Sequence, residues 1–208
     1  MFLNLCLKRK NCDKGIAFFD FDGTITTKDT LLEFIKFSKG KSNFYMGFVL
    51  TSPYLVAYKL KVISNQKAKE KVLQYFFKNM PLEQFEQFCQ KFSSEMLPSL
   101  IRPKAIEEIK DLQQKNVRVV IVSASPENWI KGWANKMNVE LIATRLELNG
   151  NYLTGRIYEN NCHGEEKVRR INSNYKLKEY EKIFAYGDTS GDKPMLALAN
   201  TSYYKPFR

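Results

Sequence analysis

Cysteine and histidine are scarce in this sequence, and their spacing argues against a structural zinc site. The chain has four cysteines, which form no CxxC pair, and one histidine. A structural zinc ion needs four cysteine or histidine ligands, usually in closely spaced pairs. We therefore expect reduced thiols and a cytoplasmic location. The residues concerned are Cys6, Cys12, Cys89, Cys162 and His163.

The sequence also lacks a long uninterrupted hydrophobic run. Apolar residues at positions 1–7 are followed by a basic stretch, 8–10, without a small-residue cleavage site, so no export signal is predicted. The longest apolar stretch, Phe44 to Leu60, is interrupted at 51–53 and falls short of the roughly 20 residues that a membrane-spanning helix needs. We expect instead a pair of helices that is buried or touches a membrane, in a protein at most peripheral to the inner face of the membrane.

The sequence has fewer acidic than basic residues, which limits the classes of binding partner that we expect. The 208 residues carry a formal net charge of +11, and 44% of them are hydrophobic. Such a chain can bury a substantial core, so intrinsic disorder is excluded. The positive charge favours nucleic acid, an anionic membrane or a phosphorylated small molecule. No nucleic-acid-binding motif accompanies the charge, so we do not expect nucleic acid to be the partner.

The hydrophobic pattern divides the chain into three parts. A short apolar run, Ile16–Phe21, predicts a buried strand that ends in the turn residues Asp22 and Gly23. From about residue 27 to 97 the apolar residues recur every three or four positions, as in helices. After Pro98, apolar runs alternate with helical patterns, which is typical of a parallel sheet covered on both sides. The fold class is therefore α/β, with a Rossmann-like parallel sheet.

The later elements can be placed approximately from the same pattern. Predicted strands cover 117–122, 139–148, 152–157 and 183–186, and predicted helices cover 126–137, 165–171 and about 192–199. Asn149 and Gly150 between two of these strands are a strong hairpin signal. A loop of about 70 residues is abnormal inside a compact domain. We therefore assign residues 27–97 to an inserted all-helical cap domain and residues 1–26 and 98–208 to the α/β core.

Polar residues follow the predicted strands in four separate segments. Taken singly, each has an ordinary structural explanation as a turn, a helix cap or a solvated side chain. Ligands in open α/β sheets bind at the carboxyl ends of the strands, so all four segments are expected to converge on one site. They contribute Asp20 and Asp22, then Ser123 and Ser125, then Lys167, and finally Asp188 and Asp192.

These residue types suit phosphoryl transfer. An aspartate cannot approach a phosphoryl group as a nucleophile unless cations neutralise their mutual repulsion. Asp20 and Asp188 are the natural pair to hold Mg²⁺, which prefers carboxylate oxygens and tolerates few protein ligands. Lys167, the Ser123 hydroxyl and nearby backbone N–H groups would hold phosphate oxygens. Asp22 would protonate the leaving oxygen and later accept a proton from water.

Four motifs make the chain resemble the haloacid dehalogenase superfamily of phosphatases: DFDGT at 20–24, VSAS at 122–125, Lys167 in NCHGEEK, and GDTSGD at 187–192. The resemblance implies that Asp20 is the nucleophile and Asp22 the acid/base, with an aspartyl-phosphate intermediate. It implies Mg²⁺ ligation by Asp20, the main-chain carbonyl of Asp22, and Asp188. The remaining implied site residues are phosphate-binding Ser123, Ala124 and Lys167, and supporting Thr24 and Asp192.

The position of the helical insertion is similar to that in the subgroup that contains phosphoserine phosphatase. The segment 144–167 looks like the hydrolase branch that includes bacterial phosphatidylglycerophosphate phosphatases. Asp29 stands where the phosphoserine enzymes carry a substrate-binding glutamate, and Gly191 where they usually carry asparagine. No cap arginine is found in its usual context. Phosphoserine is therefore not the expected substrate, and Asp29 becomes a candidate specificity residue.

The expected function is Mg²⁺-dependent hydrolysis of a phosphomonoester on a small metabolite or a lipid headgroup. Transfer of the phosphoryl group to an alcohol shares the first half-reaction and stays open, as does the oligomeric state. A phospho-accepting receiver module is a further alternative, but the inserted cap and Asp22 favour hydrolysis.

The basic, aromatic insertion allows two interpretations. Its aromatic residues can fill the insertion's own core while its lysines are solvated, or both can contact an anionic membrane surface. We favour the first. The aromatics in question are Phe44, Tyr45, Tyr54 and Tyr58, and the lysines are Lys36, Lys39, Lys41, Lys59, Lys61, Lys67, Lys69 and Lys71.

Overall fold

The computed structural model describes residues 15–208, so the predictions for Cys6, Cys12 and the N-terminal segment lie outside it. The strands are β1 (Gly15–Phe19), β2 (Val117–Pro126), β3 (Glu140–Asn149), β4 (Tyr152–Tyr158), β5 (Lys182–Gly187) and β6 (Thr201–Tyr204). The helices are α1 (Thr30–Lys39), α2 (Lys41–Lys59), α3 (Asn65–Phe77), α4 (Leu82–Lys91), α5 (Leu97–Leu100), α6 (Pro103–Gln114), α7 (Glu127–Lys136), α8 (Glu165–Asn174) and α9 (Lys193–Leu196).

The strands form one sheet in the order β4-β3-β2-β1-β5-β6. β1 lies between β2 and β5 and is parallel to both, with Phe19 level with Ile121 and Tyr186. Only β4 runs antiparallel, in the predicted hairpin in which Asn149 pairs with Tyr152. The predicted α/β class with a parallel sheet is therefore confirmed.

Alternate side chains of β1 enter two different cores. Ala17 and Phe19 join the larger cluster. It contains residues of α7 and of the helices between β1 and β2, α6 among them. Ile16 and Phe18 face the opposite side and pack with Ile171 of α8. Because successive residues of a strand point to opposite faces, a strand buried on both sides reads as a continuous apolar run. Both helical layers thus hold the central strand rigidly, and with it the residues that follow it.

The segment between β1 and β2 is helical, as the pattern predicts, but residues 44–60 do not form a helix pair. Residues 44–59 belong to the single helix α2, which continues through Pro53, and Leu60 caps its C-terminal end. Proline has no N–H to donate to the carbonyl of Val49, four residues earlier. The Ser52 hydroxyl donates a hydrogen bond of 2.7 Å to that carbonyl instead, so the helix is not interrupted. Among residues 15–208, no helix is long and apolar enough to cross a membrane.

Two elements near the C-terminal end differ from the prediction. The expected helix over 192–199 is a short 3-10 turn, Ser190–Asp192, followed by the one-turn helix α9. Strand β6 was not predicted, because its four residues are all exposed and show no apolar alternation. It nevertheless pairs in parallel with β5 at the sheet edge, where Tyr203 stacks on Tyr186 with ring centroids 4.8 Å apart.

Candidate active site

The carboxyl end of β1 delivers Asp20 to the top of the sheet. The Asp20 N–H donates to the Tyr186 carbonyl of β5 at 2.9 Å, which fixes the backbone at this point. The chain then turns at Gly23, whose φ of +80° is a left-handed conformation that glycine adopts without strain. A Cβ atom on Gly23 would lie 2.4 Å from Oδ2 of Asp188, so only glycine fits between the two segments.

Lys167 of α8 joins two of the acidic segments. Its buried Nζ donates to Oδ1 of Asp20 at 2.6 Å and to Oδ1 of Asp192 at 2.8 Å. Burial alone lowers the pKa of Lys167, but the two carboxylates outweigh it and raise the pKa above its usual value. Burial also raises the pKa of Asp20 to about 7, against the lowering effect of Lys167 and with added repulsion from Asp192 and Asp22. The pocket therefore holds more buried negative charge than Lys167 alone neutralises.

Three buried carboxylates could hold a cation. One oxygen each of Asp20, Asp188 and Asp192 lies within 4.8 Å of the others. Asp192 is largely occupied, because its second oxygen accepts the N–H groups of Asp188 and Thr189 at 3.1 and 2.9 Å and the Thr189 hydroxyl at 2.8 Å. It thereby fixes the loop that carries Asp188 and leaves Asp20 and Asp188 as the better ligands.

Thr24 and Arg208 position the other two carboxylates. The Thr24 hydroxyl lies 3.2 Å from Oδ2 of Asp20 and 3.5 Å from Oδ1 of Asp188. Arg208 donates to Oδ2 of Asp188 at 2.5 Å. Buried carboxylate oxygens grouped together, with a hydroxyl beside them, form the hard donor set that Mg²⁺ prefers. The donor chemistry therefore fits the expected metal ion.

Asp22 and Ser123 meet on the opposite side of the pocket. Oδ1 of Asp22 accepts hydrogen bonds of 2.6 Å from both the N–H and the hydroxyl of Thr30 at the start of α1. Its Oδ2 accepts from the Ser123 hydroxyl at 3.4 Å. Ser123 in turn accepts from the N–H of Ser125 at 3.0 Å, and Trp129 donates to Thr30 at 3.0 Å. The Asp22 carboxylate is thus held by α1, β2 and α7 together.

Lys69 of α3 enters the same pocket, although the sequence analysis counted it only among the insertion's lysines. Its Nζ donates to the carbonyl of Ala124 at 2.9 Å and to Oδ1 of Asn161 at 3.3 Å. Burial lowers the pKa of Lys69, and the charges of Asp29 and Asp22 oppose this. The available signal was helical spacing, because position 69 follows the buried Ala68 by one residue and so borders the inward face of α3.

The pocket is a cleft of about 450 Å³, large enough for a small phosphorylated ligand. Asp29 lines it, and Oδ1 of this residue also caps α1 by accepting the Leu32 N–H at 3.1 Å. Burial and repulsion from Asp22 raise the pKa of Asp29 to about 6. All four predicted segments therefore converge on one cleft, which is lined in addition by Tyr58, Asn65, Lys69 and His163.

The His163 side chain lies directly against Gly191 in the wall of the cleft. A Cβ atom on Gly191 would lie 2.3 Å from Nε2 of His163, so the imidazole takes up space that a larger residue at 191 would need. Burial, reinforced by the charges of Lys167 and Lys69, lowers the pKa of His163. The histidine that the sequence analysis considered only as a metal ligand therefore shapes the cleft wall.

Comparisons with known proteins give a family match, two similar curated sequences and a similar fold. The family model described as haloacid dehalogenase-like hydrolase matches residues 17–197. Protein CicA of Caulobacter vibrioides is 34% identical over 192 residues, which cover 91% of this chain and 85% of the relative. A probable phosphatase of Mycobacterium tuberculosis is 29% identical over 202 residues, covering 92% of this chain and 69% of the relative. The apo structure of a phosphoserine phosphatase has a TM-score of 0.66 at 18% identity, over 92% of this chain and 86% of that one.

The chain therefore belongs to the haloacid dehalogenase-like hydrolase family. The resemblance drawn from the four motifs is confirmed, and so is the predicted enzyme class at the level of a haloacid dehalogenase-like hydrolase.

Proposed function

We propose that this enzyme is a Mg²⁺-dependent phosphomonoester hydrolase that works through an aspartyl-phosphate on Asp20. One observation carries the proposal: Oδ1 of Asp20 lies 2.6 Å from the buried ammonium of Lys167, in a pocket that also contains Asp188. A buried carboxylate with an adjacent cation is suited to attack a phosphoryl group, because the repulsion between nucleophile and substrate is reduced.

Two displacements would complete the reaction. A carboxylate oxygen of Asp20 attacks phosphorus, the bond from phosphorus to the ester oxygen breaks, and Asp22 gives that oxygen its proton. Water then attacks the aspartyl-phosphate, Asp22 takes a proton from the water, and the bond from phosphorus to Asp20 breaks to release inorganic phosphate. The bonds from Thr30 to Asp22 would hold the acid/base in place for both steps.

Phosphate oxygens would be held by Lys167, the Ser123 hydroxyl and the backbone around Ala124. Mg²⁺ would be held by Asp20, the main-chain carbonyl of Asp22, and Asp188, with Thr24 and Asp192 supporting them. When bound, the metal ion supplies positive charge that offsets the negative charge of the phosphoryl group. Residues 27–97 would act as the cap that closes over this site, since Lys69 reaches from α3 to the Ala124 carbonyl.

The residues of the cleft wall support a proposal for the substrate class. We propose a phosphomonoester on a small metabolite or a lipid headgroup, rather than phosphoserine. Asp29 and Gly191 line the cleft where phosphoserine enzymes carry glutamate and asparagine, and His163 packs against Gly191. Cys89 and Cys162 are buried free thiols, which supports a working location in the reducing cytoplasm.

Substitution of Asp20 tests the proposal. Purified chain with Mg²⁺ should release phosphate from members of a phosphomonoester panel, and Asp20→Asn should reduce turnover to background. Asp111→Asn is the matched control, since Asp111 is a half-exposed aspartate that pairs with the neighbouring Lys115 and does not line the cleft. Full turnover by Asp20→Asn, or no release by the wild-type chain from any panel member, would end the proposal.

Asp22→Asn addresses the intermediate and the alternatives. Without the acid/base, dephosphorylation should slow more than attack on an activated substrate such as p-nitrophenyl phosphate, so a phosphorylated chain should accumulate. Rapid decay of the wild-type phosphoenzyme would distinguish the enzyme from a receiver module, in which it persists. Analysis of products with added alcohols would show whether the group passes to water or to an alcohol.

A further inference from the structure

Helix α2 is apolar on all sides, although only one side is packed. Its inner side contacts α3 closely, since a Cβ atom on Gly47 would lie 2.2 Å from the Phe76 ring. Phe44 and Thr51 are buried on the same side. The prediction that the aromatic residues fill the insertion's core therefore holds for Phe44, but it is wrong for the three tyrosines, because Tyr45, Tyr54 and Tyr58 are 64%, 42% and 38% exposed.

The opposite side, called here the α2 outer face, is apolar and open. At 3.6 residues per turn its members span an arc of roughly 140°, and no charged residue interrupts it. A helix that is apolar all round is ordinarily buried all round, and large exposed apolar patches mark interaction sites. The face consists of Tyr45 (64% exposed), Met46 (59%), Val49 (71%), Leu50 (57%), Val56 (54%) and Leu60 (69%).

Positive charge flanks the α2 outer face at both ends of the helix. No aspartate or glutamate occurs between Glu33 and Glu70. Lys41 stands at one end of the helix, and Lys59 and Lys61 stand at the other; all three are exposed. A second copy of this chain is a poor occupant, because its own lysines would face these and its net charge is also +11.

We propose that the α2 outer face docks on an anionic lipid bilayer. The apolar side chains would enter the boundary between headgroups and acyl chains, and the flanking lysines would lie at the level of the negative headgroups. The helix would lie in the membrane plane, in keeping with the finding that no helix among residues 15–208 can span a bilayer.

Docking would place the catalytic cleft beside the membrane. Tyr58 at the C-terminal end of α2 and Asn65 at the start of α3 both line the cleft. If the proposed function holds, the substrate would be a phosphomonoester on a lipid headgroup, reached without leaving the bilayer. This consequence depends on the proposed function, whereas docking itself does not.

Vesicle flotation with the full chain tests the docking. The chain should float with vesicles of equimolar phosphatidylcholine and phosphatidylglycerol and stay behind with phosphatidylcholine alone. Added salt should weaken binding, because charges at the surface are screened. Equal recovery with both vesicles, or none with either, would overturn the proposal.

Two sets of variants separate the apolar and charged contributions. Val49→Gln with Val56→Gln should weaken binding at least about tenfold, since two exposed apolar side chains lose their lipid contact. Tyr204→Gln removes an exposed aromatic residue at the β6 edge and should bind like the wild-type chain. Replacement of Lys41, Lys59 and Lys61 together by Gln should weaken binding. Replacement of the exposed Lys104, Lys110 and Lys131 together by Gln should weaken it much less.

Each contrary outcome has a defined meaning. If the two lysine sets have equal effects, or the Val49 and Val56 changes have none, the α2 outer face is not the docking surface. If sedimentation shows a dimer that these valine changes dissociate, a second copy covers the face and the proposal fails.

An activity measurement distinguishes docking from catalysis. The valine variants should retain hydrolysis of p-nitrophenyl phosphate while losing at least about tenfold in kcat/KM toward phosphatidic acid in anionic vesicles. If the valine variants keep the wild-type kcat/KM toward phosphatidic acid as well, docking does not deliver the substrate and the proposed role of docking fails. If the wild-type chain floats with vesicles but hydrolyses no phosphomonoester, the docking proposal stands and the proposed function is refuted.

Discussion

Gly23 couples the turn after Asp20, the proposed nucleophile, to the position of Asp188. Gly23→Ala would introduce strain at a φ of +80° and a Cβ atom 2.4 Å from Oδ2 of Asp188. We expect a loss of about 1–2 kcal/mol in the free energy of unfolding and a fall of roughly 100-fold in kcat, because Asp188 must move. Chemical denaturation and steady-state kinetics measure the two effects.

Gly150→Ala is the matched control, since Gly150 also has a positive φ, 57°, but a Cβ atom there meets nothing within 4 Å. It should lose comparable stability and keep its kcat. An equal fall in kcat for both variants would show that the contact with Asp188 is unimportant.

Lys69 is expected to contribute to substrate binding. Its Nζ lies at the Ala124 carbonyl, beside the predicted phosphate-binding segment, so a dianionic substrate would gain from its charge. Lys69→Met should raise KM about tenfold or more, because hydrogen bonds to charged groups are the stronger ones. Lys67→Met on the same helix, at an exposed position, should leave KM unchanged. Equal KM values for the two variants would assign Lys69 a structural role only.

At the scale of elements, α8 is fastened to the sheet by an ion-pair cluster next to Lys167. Glu166 accepts hydrogen bonds from Arg169 at 2.6 and 2.7 Å and from Arg170 at 2.8 Å. Arg170 donates onward to the Ala143 carbonyl of β3 at 2.7 Å. The hydrogen bonds from Arg169, followed by those from Arg170, lower the pKa of Glu166 from 4.5 to about 2 despite partial burial.

A lowered folded-state pKa means that ionised Glu166 stabilises the native state above pH 4.5. This contribution is lost as the pH falls from 4.5 toward 2, because protonation in the unfolded state begins first. Glu166→Gln should therefore lower the Tm by about 3 °C at pH 7, and the difference from wild type should shrink below pH 4.5. Glu165→Gln, at an exposed neighbouring position, is the matched control for the loss of a carboxylate from the same helix turn. A constant difference across this pH range would contradict the assignment.

The strand ends were predictable because each signal is local. Asp20, Ser123 and Asp188 each follow a short apolar run, and parallel strands bring such residues to one edge. Lys69 was missed because its position depends on α3 packing against β4, which brings the Lys69 Nζ to the Ala124 carbonyl, and neighbouring residues do not encode that contact. The continuity of α2 was missed for a different reason. Ser52 donates the hydrogen bond that Pro53 cannot, but a serine at this position is also typical of a loop.

At the scale of the whole molecule, metal binding should stabilise the fold. Asp20, Asp188 and Asp192 come together only in the native state, so a bound cation shifts the folding equilibrium. At about 100-fold above its Kd, Mg²⁺ should raise the Tm by roughly 5–10 °C, and chelation should reverse the shift. Differential scanning fluorimetry measures this without reference to activity. Asp188→Asn should abolish the response and Asp111→Asn preserve it; a response in both would place the cation elsewhere.

The central position of β1 affects when the enzyme becomes active during its synthesis. β1 is made early, but its β5 neighbour, which precedes Asp188, follows more than 160 residues later. Contacts so distant in sequence form slowly, and the nascent chain emerges from the ribosome starting at its N-terminus. A ribosome-bound chain stalled before residue 182 would therefore contain Asp20, the proposed nucleophile, without the strand that orients it, and appearance of the proposed phosphatase activity would report completion of the sheet.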